Sequence, residues 1–172
     1  MLRNYIFAAG ASFLALFSGI KASSVPNLPV GLTFNYQVAQ GNISNADMEA
    51  SVFQKINRYR VSQNLPALAR NLAIDNQARI HSQNMASGKI AFGHNGFSGR
   101  VAATGIASSS GYAENVTYNQ RHQDPSSQAV QSWLRSSGHL ENIRGNYDLT
   151  GVGVASNNQG KIYFTQIFLR SR

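Results

Sequence analysis

The stretch from Ser132 to Ile143 reads SWLRSSGHLENI, and it predicts a helix end next to a histidine around which the rest of the chain is organised. Just upstream, Asp124-Pro125 predicts a helix start, because aspartate caps free amides and proline suits the first helical position. Gly138 predicts the end of that helix, since glycine readily adopts the left-handed conformation found there. His139 is thereby predicted to lie at a helix terminus, with two ring nitrogens and a pKa near neutrality. The apolar residues of the helix share one face, which predicts their burial: Ala129, Val130, Trp133 and Leu134.

The first 22 residues are typical of a secretory signal peptide. Arg3 provides the basic start, an almost uncharged apolar run extends from Tyr5 to Ile20, and residues 20–22 suit cleavage. The apolar run is shorter than the roughly 20 residues that a membrane-spanning helix needs, so we predict cleavage and no membrane span afterwards. The predicted organisation is a signal peptide at 1–22, an N-terminal extension at 23–46 and one domain at 47–172.

Composition limits the class of partner and the location. Removing Arg3 and Lys21 lowers the net charge of +8 to about +6, and the remaining basic residues are scattered along the chain. An exported basic protein meets acidic cell-surface polymers or phospholipid headgroups more often than nucleic acid. The absence of cysteine excludes disulfides and a lipoprotein anchor, and fits a bacterial exported protein. We therefore predict a secreted, periplasmic or cell-surface location and no nucleic-acid partner.

Two strands predict the architecture. Residues 150–155 alternate valine with glycine, and residues 161–169 are apolar on both faces. The turn residues 157–160 between them predict an antiparallel hairpin. A strand that is apolar on both faces must be covered on both, and helices starting near Asn45 or Asp47, at Asn71 and at Asp124 are available. The sequence thus predicts an α+β fold, a three-layer α-β-α sandwich with a small antiparallel sheet.

Three polar residues stand out as candidates for a site. His94 lies between Gly93 and Gly96, which predicts a position at a loop apex. Glu114 lies in a short predicted strand, on the same face as two apolar neighbours, where a carboxylate is unusual. The alternative for Glu114 is an exposed strand end. His81 is interpreted as a hydrogen-bonded core or edge histidine, and His122 as a surface residue.

The order of short motifs along residues 48–169 resembles the CAP or SCP superfamily. This superfamily includes cysteine-rich secretory proteins, insect venom antigen 5 and plant pathogenesis-related proteins of group 1, and the chain is most similar to the cysteine-free bacterial branch. The motifs that carry the resemblance are Asn57-Arg58, residues 65–68, residues 78–82, His94, Glu114-Asn115, residues 129–133, Gly138-His139, Asn142-Ile143, residues 151–154 and residues 163–168.

The resemblance implies an α-β-α sandwich, an extracellular location and a cleft lined by two histidines and two glutamates, which binds divalent metal in some members. Other members bind sterols or fatty acids elsewhere on the surface. Matched by motif, His94 and Glu114 are the first histidine and first glutamate. The second glutamate falls on Ser136 and the second histidine on Tyr163, while His139 matches a histidine of the bacterial branch. The implied cleft is therefore His94, Glu114, His139 and Tyr163, with the first three as metal ligands.

Two imidazoles and one carboxylate could hold zinc with one position open. The chain lacks cysteine, a Gly-x-Ser-x-Gly motif and a His-Glu-x-x-His motif, so no catalytic nucleophile or protease signature is present. The function favoured by the sequence is a secreted protein that binds a lipid, a carbohydrate or a cell-surface partner, with a divalent-metal cleft. The alternatives are a metal-assisted extracellular hydrolase and a purely structural protein.

Overall fold

The computed structural model describes residues 43–106 and 111–171. Within these ranges the elements are α1 (Asn45–Ser62), β1 (Ala69–Arg70), α2 (Leu72–Ala86), α3 (Phe97–Ala103), β2 (Gly111–Gln120), α4 (Pro125–Leu134), α5 (Ser137–Arg144), β3 (Leu149–Ser156) and β4 (Lys161–Arg170). The predicted signal peptide and nearly all of the predicted N-terminal extension lie outside the described residues. None of the described helices is both long and apolar enough to cross a membrane.

The sheet has the strand order β1-β3-β4-β2. The predicted hairpin is confirmed, because β3 and β4 pair antiparallel from Leu149↔Leu169 to Ser156↔Ile162. On its other side β4 pairs antiparallel with β2, which is longer than the predicted strand. The two-residue β1 pairs parallel with β3, so the sheet is mixed rather than purely antiparallel. This arrangement leaves β2 at one edge of the sheet.

Helices cover both faces of the sheet, which confirms the α+β fold with three layers. On one face α1, α4 and α5 enclose the larger core, whose apolar residues include Val52, Ile56, Trp133, Ile143, Val152, Val154, Phe164 and Phe168. On the other face α2 packs Ile74 and Ala78 against Ile167 and Leu169, and α3 adds Phe97 and Val101. The two faces of β4 therefore belong to different cores, as its two apolar faces predict.

Helix α2 lies unusually close to β3 because two glycines face it. A Cβ atom added at Gly153 would lie 2.0 Å from the backbone nitrogen of Arg79, and one at Gly151 would lie 2.3 Å from that of Asp75. Real Cβ atoms do not approach backbone this closely, so only glycine permits the contact. On β3 the glycines therefore face the backbone of α2, whereas the valines between them face the larger apolar core.

Two buried carboxylates bind the free edge of β3 beyond its short pairing with β1. The Asp75 carboxylate accepts a hydrogen bond from the backbone N–H of Val152 at 2.8 Å, and Glu49 accepts one from Val154 at 3.2 Å. Arg79 binds both oxygens of Glu49, at 2.9 and 2.7 Å. Acidic side chains from α1 and α2 therefore complete the hydrogen bonds of this strand, and arginine balances their charge.

Arg60 is buried, although the sequence suggested that it was one of the scattered basic residues. Its guanidinium is 1% exposed and donates to the carbonyl oxygens of Ile143 at 2.7 Å, Gly145 at 2.9 Å and Pro66 at 2.9 Å. Burial lowers the pKa of this group. Two of these carbonyls lie at the end of α5, where a cation is favoured by the helix dipole. Arg60 therefore ties α1 to the end of α5.

Several helix ends agree with prediction and two do not. Asp124 caps α4 ahead of Pro125, and Asn71 caps α2. Helix α1 is capped by Ser44 rather than by Asn45 or Asp47, although Asp47 completes a capping box by accepting from the Ser44 N–H. The predicted stop at Gly138 is wrong: α4 ends at Leu134, the backbone becomes extended at Ser136, and Gly138 lies inside α5. His139 is therefore in the first turn of α5.

Candidate functional site

His94 and Glu114 are in direct contact. The Nδ1 atom of His94 lies 2.9 Å from Oε1 of Glu114, so the imidazole donates its Nδ1–H to the carboxylate. The glutamate side chain is 1% exposed, whereas the histidine side chain is 53% exposed. A buried carboxylate on β2 therefore orients an imidazole whose Nε2 makes no hydrogen bond within the described part of the chain.

Arg100 on α3 holds this pair together. Its Nε donates to Oε2 of Glu114 at 2.9 Å, and its Nη2 donates to Oε1 at 2.7 Å, which is a bidentate ion pair. The same guanidinium donates through Nη1 to the carbonyl of Asn95 at 2.7 Å. Arg100 therefore neutralises the buried carboxylate and fixes the loop that carries His94.

His81 on α2 holds the same loop through a hydrogen bond to the loop backbone. Its Nε2–H donates to the carbonyl of Gly93 at 2.8 Å, and the residue is 1% exposed, which confirms the interpretation as a hydrogen-bonded core histidine. Gly93 has a φ of 147°, which favours glycine at this point of the loop. Burial lowers the pKa of His81, an effect opposed by the nearby Glu114 carboxylate. We refer to His81, His94, Arg100 and Glu114 as the histidine cluster.

Helix α5 brings His139 to the same edge strand from the opposite layer. The Asn115 side chain donates to the carbonyl of His139 at 3.0 Å. Asn142 donates to Oδ1 of Asn115 at 2.9 Å and to the carbonyl of Glu114 at 3.3 Å. The two asparagines therefore tie the first turns of α5 to β2 beside the histidine cluster.

The His139 ring is half-buried, and its Nδ1 is buried without a hydrogen-bond partner among the described residues. Burial lowers the pKa of His139, and the charge of His94 lowers it further. Among the described residues, this buried nitrogen is left without the hydrogen bond that buried polar groups usually make.

Tyr163 lies apart from this cluster. It pairs across the sheet with Tyr118, whereas Glu114 pairs with Ile167. The offset of four positions between these pairs corresponds to roughly 13 Å along the strand. The Tyr163 ring contacts that of Tyr118 with centroids 5.8 Å apart, and it borders a different groove, beside the end of α2. The structure thus brings His94 and Glu114 together, with His139 nearby, and sets Tyr163 elsewhere.

The residues present do not fit the three-ligand zinc set of His94, Glu114 and His139. Both oxygens of Glu114 are bound by Arg100, and a guanidinium beside a metal ligand opposes the binding of a cation. Among the described residues no group of three His, Cys, Asp or Glu side chains is arranged to hold a metal ion. Glu114 instead orients the His94 imidazole by accepting a hydrogen bond from its Nδ1–H.

Arg100 and His81 were not predicted as parts of the site. The sequence contained one signal for Arg100: a carboxylate on a strand between apolar neighbours requires a cationic partner once it is buried. Arg100 lies on the helical segment that precedes β2, and in the sequence it is one of the scattered basic residues. No local pattern distinguishes the loop-supporting role of His81 from that of any other core histidine.

Three of the solved structures with the same fold are of bacterial proteins. An extracellular protein containing an SCP domain from Bacillus anthracis aligns with a TM-score of 0.60 at 24% identity, over 73% of this chain and 41% of its own. A cysteine-rich secretory protein from Staphylococcus aureus aligns with a TM-score of 0.60 at 22% identity, over 76% and 41%. An outer surface protein from Borrelia burgdorferi aligns with a TM-score of 0.61 at 14% identity, over 76% and 97%.

This chain therefore spans about two fifths of the Bacillus and Staphylococcus proteins, and at these identities the likeness concerns the fold. No curated protein matches the chain. Residues 53–168 match the family described as "CAP: Cysteine-rich secretory protein family". Because that match covers more than half of the chain, the protein belongs to the CAP family.

Proposed function

We propose that this CAP-domain protein works outside the cytoplasm as a binding protein, and that His94, held by the histidine cluster, contacts an anionic group of the ligand together with His139. One observation carries the proposal: the buried Glu114 carboxylate pairs with Arg100, which neutralises it, and it also accepts a hydrogen bond from His94, which orients the imidazole. The ligand class that fits is a phosphate or carboxylate on a lipid headgroup or a cell-surface polymer. The basic net charge of the chain favours the same class.

The protonation of His139 supports an anion as the ligand. Burial lowers the pKa of His139, and the charge of His94 lowers it further, so the ring is disfavoured as a cation without a ligand. A bound anion would offset that cost, so affinity should rise as the pH falls through the imidazole range.

The same geometry argues against general-base chemistry at Glu114. A base needs a free lone pair directed at the substrate, and both oxygens of this buried carboxylate accept hydrogen bonds from Arg100 and His94.

One observation favours the second candidate function, a metal-assisted hydrolase in which His94, and not Glu114, would contact the metal. His94 donates Nδ1–H to a carboxylate, which is how metal-binding histidines are usually oriented, and its Nε2 is unbound within the described residues.

The pH dependence separates the two candidates. We expect inorganic phosphate to shift the imidazole NMR signals of His94 and His139 more strongly at about pH 5.5 than at about pH 7.5. In His94→Ala the phosphate affinity measured at His139 should fall at least about fivefold. His122→Ala is the matched control, since His122 is an exposed histidine outside the cluster, and it should bind phosphate as the wild type does.

Zinc should behave in the opposite way, because imidazoles must be neutral to bind a metal. Zinc binding that is stronger at about pH 7.5 and lost in His94→Ala, with no response to phosphate, would favour the hydrolase over the binding protein. If neither phosphate nor zinc perturbs His94 and His139, the cluster is a structural network and the proposed site is wrong.

The predicted signal peptide supports a function outside the cytoplasm. We expect the exported protein to begin near Ser23, because the leader combines Arg3 with the apolar run that follows it. Intact-mass measurement of protein recovered from the periplasm or medium of an expressing bacterium tests this. A full-length mass confined to the cytoplasm would contradict both the cleavage and the proposed location.

A further inference from the structure

A second concave surface lies away from the histidine cluster, between the end of α2 and the turn that joins β3 to β4. Its volume is about 670 Å³, and we call it the hairpin groove. Its rim includes the polar side chains of Gln83, Ser87, Asn158 and Gln159, and its floor includes Met85 and Tyr163. A volume of this size is typical of sites for small ligands.

The rim presents amide groups that the fold does not use. The side-chain amides of Gln83, Asn158 and Gln159 make no hydrogen bond within the described part of the chain. The turn is nevertheless well fixed, because Oδ1 of Asn157 accepts from the backbone N–H groups of Gln159 and Lys161, both at 3.0 Å. The backbone carbonyl of Gln159 also accepts from the Gln120 side chain. Free donors and acceptors are therefore displayed on an ordered turn.

The floor of the groove is apolar. Met85 is 3% exposed and Tyr163 is 9% exposed, and both belong to the same small hydrophobic core. A primary amide offers one donor and one acceptor side by side, which matches two neighbouring hydroxyl groups. The C–H face of a pyranose ring can pack against an apolar floor while its hydroxyl groups reach the rim.

The residues that line the groove are uncharged: among those described, none is Asp, Glu, Lys, Arg or His. The nearest cation named by its contacts is Lys161, whose ammonium lies 4.4 Å from the ring centroid of Tyr118 and 6.0 Å from that of Tyr163. The groove also receives the carboxyl end of α2, a helix of 15 residues, where the helix dipole is negative. The uncharged rim therefore offers a neutral sugar complementary donors and acceptors.

We propose that the hairpin groove binds a neutral pyranose unit of an oligosaccharide. This proposal does not depend on the function proposed for the histidine cluster, because the two surfaces share no residue. The affinity for a single short oligosaccharide should be modest, with a dissociation constant on the order of a millimolar, since the groove is open and few groups are buried on binding.

The test uses amide NMR spectra of the purified protein titrated with maltotriose, cellotriose and triacetylchitotriose, with trigalacturonate as the anionic comparison. We expect at least one neutral trisaccharide to shift the side-chain amide signals of Gln83, Asn158 and Gln159 and the backbone signals of residues 85–88 and 156–160. The double variant Asn158→Ala with Gln159→Ala should weaken binding at least about tenfold.

Two further variants make the result specific. Gln131→Ala removes an exposed amide from α4 and should leave binding unchanged. His94→Ala should also leave it unchanged, which separates failure of this proposal from failure of the proposed function. The proposal is overturned if no neutral trisaccharide shifts these signals, if trigalacturonate shifts them equally, or if Gln131→Ala weakens binding as much as the double variant does.

Discussion

Replacing Gly153 by alanine is expected to lower the free energy of unfolding by about 3 kcal/mol or more, at the upper end of the effects of overpacking. The new Cβ would lie 2.0 Å from the backbone nitrogen of Arg79 and 2.1 Å from the carbonyl carbon of Ala78. A backbone cannot rotate away as a side chain can, so α2 must move as a unit. That movement would also strain the hydrogen bond that the Asp75 carboxylate accepts from Val152 of β3.

Gly138→Ala is the matched control for this prediction. Gly138 lies inside α5, and a Cβ added there meets no atom within 4 Å. Alanine is favoured over glycine in a helix by up to about 1 kcal/mol, so this variant should be as stable as the wild type or more so. Denaturant unfolding compares the two. If Gly153→Ala changes the free energy of unfolding by less than about 0.5 kcal/mol, α2 does not pack on β3 as described.

Trp133→Ala is expected to destabilise the protein by roughly 3–5 kcal/mol, as for other large buried aromatic residues. Trp133 is 0% exposed and lies in the core that α1, α4 and α5 form with the sheet. Truncation would leave a large cavity in the middle of this core, where three helices and the sheet hold the surrounding atoms in place. Denaturant unfolding of the purified variant measures the change.

Trp133→Phe distinguishes lost packing from a lost polar contact. The indole Nε1 is buried without a hydrogen-bond partner among the described residues, so its removal should carry little penalty of its own. Phenylalanine keeps most of the ring contacts, and we expect it to cost less than half as much as alanine. A change of under about 1 kcal/mol for Trp133→Ala would show that Trp133 is exposed, which would make it a candidate for a ligand surface.

The sequence predicted most of the fold because its signals are local. Asp124 and Asn71 cap helices through their own side chains, and the two apolar faces of β4 follow from a period of two. Gly138 shows the limit of such reasoning: a glycine predicts a helix end only where the backbone turns left-handed. Here the break occurs at Ser136, through an extended conformation that many residues adopt.

The candidate site was predictable only in part, because its contacts join distant segments. His94 and Glu114 were selected for their unusual surroundings and do meet. The bidentate pairing of Arg100 with Glu114 depends on how α3 packs beside β2, and no spacing along the chain encodes it. Tyr163 was placed by motif alone, and the pairing register of β4 with β2 sets its distance from Glu114.

The carboxylates of Glu49 and Asp75 have a consequence for how copies of this protein behave in a crowded solution. An exposed strand edge is a template on which a strand of another molecule can add, and such addition can start aggregation. On β3 the N–H groups that an incoming strand would need at Val152 and Val154 are already occupied by buried carboxylates. The acidic side chains of the protein's own helices therefore protect this edge.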